Sequence, residues 1–292
     1  MQTLAVVNNK GGVGKTTTAT NLGAALVQSG HRVLLVDLDS QASLSLGLGL
    51  RRDELSPSTA EILIERRDAF AVIRPTGVPG LDILPGSMEL SSVDLLLSTA
   101  HGRENRLRDA LAPIASRYDT ILLDCPPSIS LVSLNALVAA DGVIVPVIPH
   151  YMAMEGLVNL MESLRLARDG IGVQAKLTGI LLTLADSRTR ATQEIMSLIR
   201  GAYGDAVFET VIRTNVRLQE APSHGKTIFE YDREATGAIG YQALASEVLQ
   251  RMERDDAHRE AGHGALEGFV RSAKLAPHQH VRPRPVHSYG RS

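Results

Sequence analysis

Thr3-Leu4-Ala5-Val6-Val7-Asn8-Asn9-Lys10-Gly11-Gly12-Val13-Gly14-Lys15-Thr16-Thr17 decides the fold, because a short apolar run, a glycine-rich turn and the start of a periodic segment follow without a break. The run from Thr3 to Asn8 suits a buried parallel strand. Ala19, Leu22, Ala25 and Leu26 recur at helical spacing between Thr16 and Gln28. Strand, glycine turn and helix form the setting that a phosphate-binding loop needs. Gly11, Gly12 and Gly14 let the main chain wrap around an anion with Val13 and its neighbours turning N–H groups inward, and the helix dipole favours the same anion. In such a loop Lys15 reaches the terminal phosphates and the Thr16 hydroxyl ligates Mg²⁺. The general pattern G-x-x-x-x-G-K-[ST] has a glycine where Asn9 stands. Lys10 is one lysine more than the loop needs, and it points to a site completed by another subunit.

Two further stretches end in acids. Val33-Leu34-Leu35-Val36-Asp37-Leu38-Asp39-Ser40-Gln41 reads as a buried strand with carboxylates at its C-terminal end, where ligands sit in open α/β sheets. Alternation along an extended chain places Asp37 and Asp39 on one side. Asp119-Thr120-Ile121-Leu122-Leu123-Asp124-Cys125-Pro126-Pro127 is a second such strand, and an aspartate there commonly holds Mg²⁺ through its water shell.

Away from these motifs, short β-rich runs alternate with longer helical patterns. Strands are expected over 4–7, 32–36, 81–84, 120–123, 142–147, 177–183 and 206–212, and helices over 16–28, 93–97, 103–116, 129–139, 153–169, 189–200 and 237–253. This alternation predicts an α/β fold with a mostly parallel twisted sheet flanked by helices on both faces. A chain of 292 residues with 44% apolar content can bury the core this requires. A formal net charge of -2 advertises neither nucleic acid nor membrane. Cys125 is the single cysteine, which excludes an internal disulfide framework and a Cys-rich zinc site. The chain enters its first strand without a basic segment or long apolar run, so a cytoplasmic location is expected. No stretch of 18 uninterrupted apolar residues suggests a spanning helix. Aromatics at 3% and the absence of tryptophan argue against single-strand binding by base stacking.

The character changes after Glu253. Residues 254–292 carry five of the nine histidines, prolines at 277, 283 and 285, and no acid beyond Glu267, which reads as a flexible tail on a domain spanning 1–253. Leu266, Phe269, Val270 and Leu275, with Arg271 and Lys274 between them, allow a short basic amphipathic helix, although a solvated tail is the favoured reading.

Taken together, Lys10 to Thr17, Asp37-Leu38-Asp39-Ser40-Gln41 and Asp124-Cys125-Pro126-Pro127 resemble the deviant Walker A, Walker A′ and Walker B motifs of the ParA/MinD ATPases, a family with the P-loop NTPase fold. The resemblance extends to about Arg251. The segments Leu181 to Thr189 and Val211 to Lys226 resemble the Soj-like partition ATPases within that family. The resemblance implies ATP and Mg²⁺ as cofactors, a weak intrinsic ATPase, a nucleotide-dependent homodimer, non-specific binding to duplex DNA, and hydrolysis stimulated by a ParB-like partner. It further implies that Lys10 crosses the dimer interface, that Lys15 holds phosphates in cis, that Thr17 supports the α-phosphate and that Asp39 positions the attacking water. Thr16, Asp37 and Asp124 arrange the magnesium shell, and Asn215 lies near the adenine. Arg188 and Arg217 match DNA-contacting positions, with Lys176, Arg190, Arg200 and Arg213 adding positive charge. The expected location is then the cytoplasm, in association with the nucleoid. Ser40 and Ala42-Ser43 depart from the proline and glycine-asparagine common in the family. A MinD-like membrane-cycling ATPase and an ATP-switched binding module with negligible hydrolysis are the rival readings. A nitrogenase-type reductase is excluded, since Cys125 alone cannot supply two cluster ligands.

Overall fold

The computed structural model describes residues 1–260, with side chains described as far as Arg254. The amphipathic candidate at Leu266 to Leu275 and four of the five tail histidines lie outside the described residues. Strands β1 (Gln2–Val6), β2 (Val33–Asp37), β3 (Arg74–Pro75), β4 (Leu81–Leu84), β5 (Thr120–Asp124), β6 (Gly142–Val147), β7 (Lys176–Ala185) and β8 (Val207–Arg213) form one sheet in the order β3-β4-β2-β5-β1-β6-β7-β8. Every neighbouring pair is parallel except β3 with β4. That short antiparallel edge strand ends in Pro75, which has no N–H to offer a further neighbour.

Helices α1 (Lys15–Gln28), α2 (Ser43–Gly47), α3 (Thr59–Glu65), α4 (Val93–Leu96), α5 (Arg106–Leu111), α6 (Leu131–Ala139), α7 (Ala153–Ile171), α8 (Arg190–Tyr203), α9 (Val216–Glu220), α10 (Ile228–Tyr231) and α11 (Thr236–Glu260) cover both faces. Alternation along the strands feeds two cores. Ala5, Leu34, Val36 and Leu123 pack against α3 to α8, whereas Leu4, Val6, Leu35 and Leu122 pack against α1, α2 and α9 to α11. Leu22 and Leu26 of α1 are fully buried, and each such side chain stabilises the fold by about 1.5–3 kcal/mol relative to exposure. The expected doubly covered parallel sheet is therefore present.

Several boundaries differ from the sequence expectation for identifiable reasons. β1 begins at Gln2, where polar groups find partners: the buried Gln2 side chain donates Nε2 to the Met252 carbonyl at 3.4 Å, and the Thr3 main-chain N–H donates to Asp141 Oδ2 at 2.9 Å. The segment 103–116 is not one helix. It divides into a 3₁₀ turn, α5 and a second 3₁₀ stretch that carries Pro113 in its first turn. The last helix continues past 253 to Glu260. Helices α2, α3, α9 and α10 were not expected. α3 and α10 each start with a capping box, Ser58 with Glu61 and Thr227 with Glu230, a spacing that is visible in the sequence.

Candidate nucleotide site

The glycine loop leaves the C-terminal end of β1, near the middle of the sheet, and enters α1. Gly12 and Gly14 have φ of 73° and 86°, so a side chain at either would be strained. Gly14 caps α1 with no side-chain hydrogen bond, and the first turn holds no acid. The helix-terminal N–H groups are thus left to an anion. The loop is pinned from across the sheet, where Thr183 on β7 donates its hydroxyl to the Val13 carbonyl at 2.8 Å. Lys15 is only 7% exposed, and its ammonium donates to the Lys10 carbonyl at 3.0 Å. Burial lowers the Lys15 pKa, while the nearby Asp124 carboxylate works against that shift.

The carboxylates occupy three distinct environments. β2 ends at Asp37, so strand alternation does not extend to Asp39 as expected. Asp37 is fully buried and satisfied: Oδ2 accepts from the Ser45 N–H at 2.9 Å and the Ser45 hydroxyl at 2.7 Å, and Oδ1 accepts from the Asp39 N–H at 3.2 Å. Burial raises its pKa to about 6 in spite of these donors. Asp39 is half-buried and accepts from the Gln41 N–H at 3.0 Å. Asp124 is 1% exposed, yet both of its carboxylate oxygens lack a hydrogen-bond partner. Burial, reinforced by the Asp37 charge, holds its pKa well above the usual carboxylate range, against the pull of the Thr16 hydroxyl and the Lys15 ammonium.

An orphaned, fully buried carboxylate beside a phosphate loop fits a magnesium shell. Mg²⁺ keeps most of its waters and needs only one or two carboxylates besides phosphate oxygens. Among the described residues there is no cluster of three or more His, Cys, Asp or Glu that would hold a metal without such help. Thr16 and Asp124 are residues that could hold such an ion.

A cavity of about 480 Å³ opens over the loop and brings Gly11, Gly12, Gly14, Lys15, Thr16, Thr17, Asp39 and Asn215 onto one surface. Asp37 and Asp124 are buried, and Val13 lies below the surface. The far wall contains Leu218 and Pro222, close to Asn215 in the chain, and two residues that the sequence reading missed, Leu184 and Tyr241. Asn215 caps α9, accepting from the Leu218 N–H at 3.3 Å and donating to Thr236 Oγ1 at 2.6 Å. Tyr241 is buried behind α1, with its hydroxyl 3.3 Å from Thr18 Oγ1. Leu184 adopts φ of 49°, an uncommon conformation for leucine that turns the chain along the cavity wall. No local pattern marks these residues, since they come from elements far apart in the chain.

Lys10 does not line this cavity. Its backbone N–H donates to Asn8 Oδ1 at 2.9 Å, and its ammonium donates to the Met152 carbonyl of the same chain at 2.8 Å, beside Gly156. Arg188 and Arg217 follow the adjacent ends of β7 and β8, where Ala185 pairs with Arg213. Arg188 pairs with Asp186 at 2.9 Å and is 89% exposed. Arg217 pairs with Glu220 at 3.0 Å and lies 6.0 Å from the Tyr231 ring centre. Of the other cations, Arg190 pairs with Glu194 at 2.9 Å and Arg200 with Glu209 at 3.2 Å. Arg213 is exposed and makes no ion pair among the described residues.

The AAA domain family matches residues 1–177. The chain is 42% identical to the sporulation initiation inhibitor protein Soj of Bacillus subtilis, covering 84% of this chain and 97% of that protein. It is 42% identical to the chromosome partitioning protein ParA of Myxococcus xanthus, covering 85% of this chain and 88% of that protein. Among solved structures, it resembles cobyrinic acid a,c-diamide synthase of Mycobacterium smegmatis with a bound ATP analogue and magnesium. That match has a TM-score of 0.75 and 33% identity, and it covers 90% of this chain and 97% of the other.

Proposed function

The chain belongs to the ParA/MinD family of P-loop ATPases, in its Soj-like branch, and from that premise we propose that it is a partition ATPase whose ATP-bound dimer binds duplex DNA without sequence preference. ATP supplies the transferable phosphoryl group, and Mg²⁺ neutralises charge on its phosphates. The observation that carries this reading is the convergence of Lys15, Thr16 and Asp39 on one cavity, with the unpartnered Asp124 buried beside Lys15 and Thr16.

In this reading the loop N–H groups and Lys15 hold phosphates in cis, Thr17 supports the α-phosphate, and Thr16 and Asp124 hold the ion. Asp39 orients the attacking water. Lys10 leaves the Met152 carbonyl and reaches the phosphates of a second copy, where a charge supplied in trans stabilises the transition state as arginine fingers do. Arg188 and Arg217 give up exposed pairs with Asp186 and Glu220 to contact DNA phosphates. Solvent screens such pairs, so the exchange costs little. A ParB-like protein stimulates turnover and release, and the protein works in the cytoplasm on the nucleoid. No helix among the described residues is long and apolar enough to cross a membrane.

Phosphate release measured with and without duplex DNA, together with co-sedimentation over a salt series, tests the proposal. ATP-dependent, salt-sensitive DNA binding with slow turnover is expected. Failure to bind DNA with ATP at low salt overturns the partition reading. Binding without phosphate release would leave only an ATP-switched binding module.

A further inference from the structure

Asp37 and Asp124 differ in what surrounds them. The Asp124 oxygens are free for a metal shell, whereas the Asp37 carboxylate is fully engaged by protein donors. Both strong bonds to Asp37 Oδ2 come from Ser45, in the short helix α2 that follows the Asp39 loop. The Ser45 hydroxyl is itself oriented, since its oxygen accepts the Gly86 N–H at 3.0 Å and its proton is directed to Asp37. Gly86 follows β4, and a Cβ there would stand 2.8 Å from Asp37 Cγ and 3.0 Å from the Asp39 carbonyl. Thr59, at the start of α3, closes the ring by donating its hydroxyl to the Asp37 carbonyl at 2.7 Å. The remaining Asp37 oxygen holds the Asp39 N–H at 3.2 Å.

We propose that Ser45 is a positioning residue for hydrolysis: its hydroxyl fixes the Asp37 carboxylate, which in turn fixes the backbone at Asp39. The role rests on the ATPase reading of Asp39 given above, but the positioning itself does not depend on nucleotide. Loss of the hydroxyl removes one of three donors to a buried carboxylate and leaves the Gly86 N–H without its acceptor. The loop carrying Asp39 then samples more conformations, while the phosphate loop, held by Thr183 and Lys15, does not. Turnover is therefore sensitive to Ser45 and nucleotide affinity is not.

The test compares wild type, Ser45→Ala and Ser45→Thr in two assays. With ATP and duplex DNA, kcat of Ser45→Ala falls about tenfold with KM changed less than about twofold, and Ser45→Thr, which keeps the donor, stays near wild type. In nucleotide-free protein, amide hydrogen exchange over residues 39–45 quickens in Ser45→Ala and not in Ser45→Thr. Unchanged protection at 39–45 in folded Ser45→Ala overturns the proposal, as does a threonine variant as defective as the alanine one. Should Ser45→Ala fail to fold, Ser45→Cys carries the same test, because it preserves volume with only a weak donor. A wild type without turnover would overturn the ATPase reading, and the exchange data would still decide the role of Ser45.

Discussion

The Lys10 ammonium is bonded within its own chain to the Met152 carbonyl at 2.8 Å, and its stem runs past Gly156, where a Cβ would stand 3.0 Å from Cε. A lysine that acts in trans must first leave this contact. Lys10→Ala is expected to bind ADP within about threefold of wild type while losing ATP-dependent dimerisation and DNA-stimulated turnover. Gly156→Ala crowds the same contact and is expected to raise the dimer fraction at a given ATP concentration. Light scattering coupled to size-exclusion chromatography reads both, and a Lys10→Ala protein that dimerises normally refutes the assignment.

Arg188 and Arg217 lie beyond neighbouring strand ends and form surface ion pairs, Arg188 with Asp186 and Arg217 with Glu220 and Asp232. Arg217→Glu should abolish DNA co-sedimentation at salt concentrations where wild type binds, and Arg188→Ala should lower the slope of log affinity against log salt by about one. Basal turnover without DNA should persist in both variants. DNA binding that is insensitive to both substitutions would show that this edge is not the DNA face.

Asp124 is buried with no well-formed hydrogen bond to either carboxylate oxygen and only the nearby Thr16 hydroxyl and Lys15 ammonium to offset its charge, which therefore destabilises the metal-free fold. Asp124→Asn should raise the stability of nucleotide-free protein by about 1–3 kcal/mol at neutral pH while abolishing Mg²⁺-dependent turnover. The pH dependence has a defined sign. A carboxyl whose folded pKa is raised favours the fold below its unfolded value and loses that contribution as pH climbs through the folded one. For Asp37 this window runs from 3.8 to about 6, and burial raises the Asp124 pKa in the same direction. The gap in melting temperature between Asp124→Asn and wild type should therefore widen from about pH 4 to about pH 8. Thermal melts at the two pH values check this.

Gly86 leaves no room for a methyl group against Asp37. Gly86→Ala should destabilise the protein by about 1–3 kcal/mol and slow turnover, through displacement of Asp37 and the Asp39 loop. Chemical denaturation and steady-state ATP assays measure the two effects, and a fully stable, fully active variant would show that the network tolerates movement.

Much of the fold was legible in local patterns. The run Thr3 to Thr17 announced strand, loop and helix, and continuous apolar stretches such as Val33 to Val36 marked strands buried on both faces. Helix α3 was missed although Ser58 and Glu61 carry a capping-box spacing, because Pro57 and the short apolar run Ile62-Leu63 obscured the periodicity. Residues such as Ser45 and Thr183 carried no such signal, since a hydroxyl in sequence is equally at home on a surface.

The sequence by itself determined the phosphate loop, its following helix, the strand-terminal acids and the parallel architecture, because each depends on residues within a few positions of one another. Only the tertiary structure decided which acid is satisfied and which is orphaned. Asp37 meets its donors through α2 and the turn after β4, whereas neither Asp124 oxygen forms a comparable hydrogen bond. Sheet order likewise brought Thr183 to Val13 across 170 positions and turned Lys10 onto Met152. Local spacing encodes backbone geometry, but the environment of a buried charge depends on which distant segments the fold stacks against it.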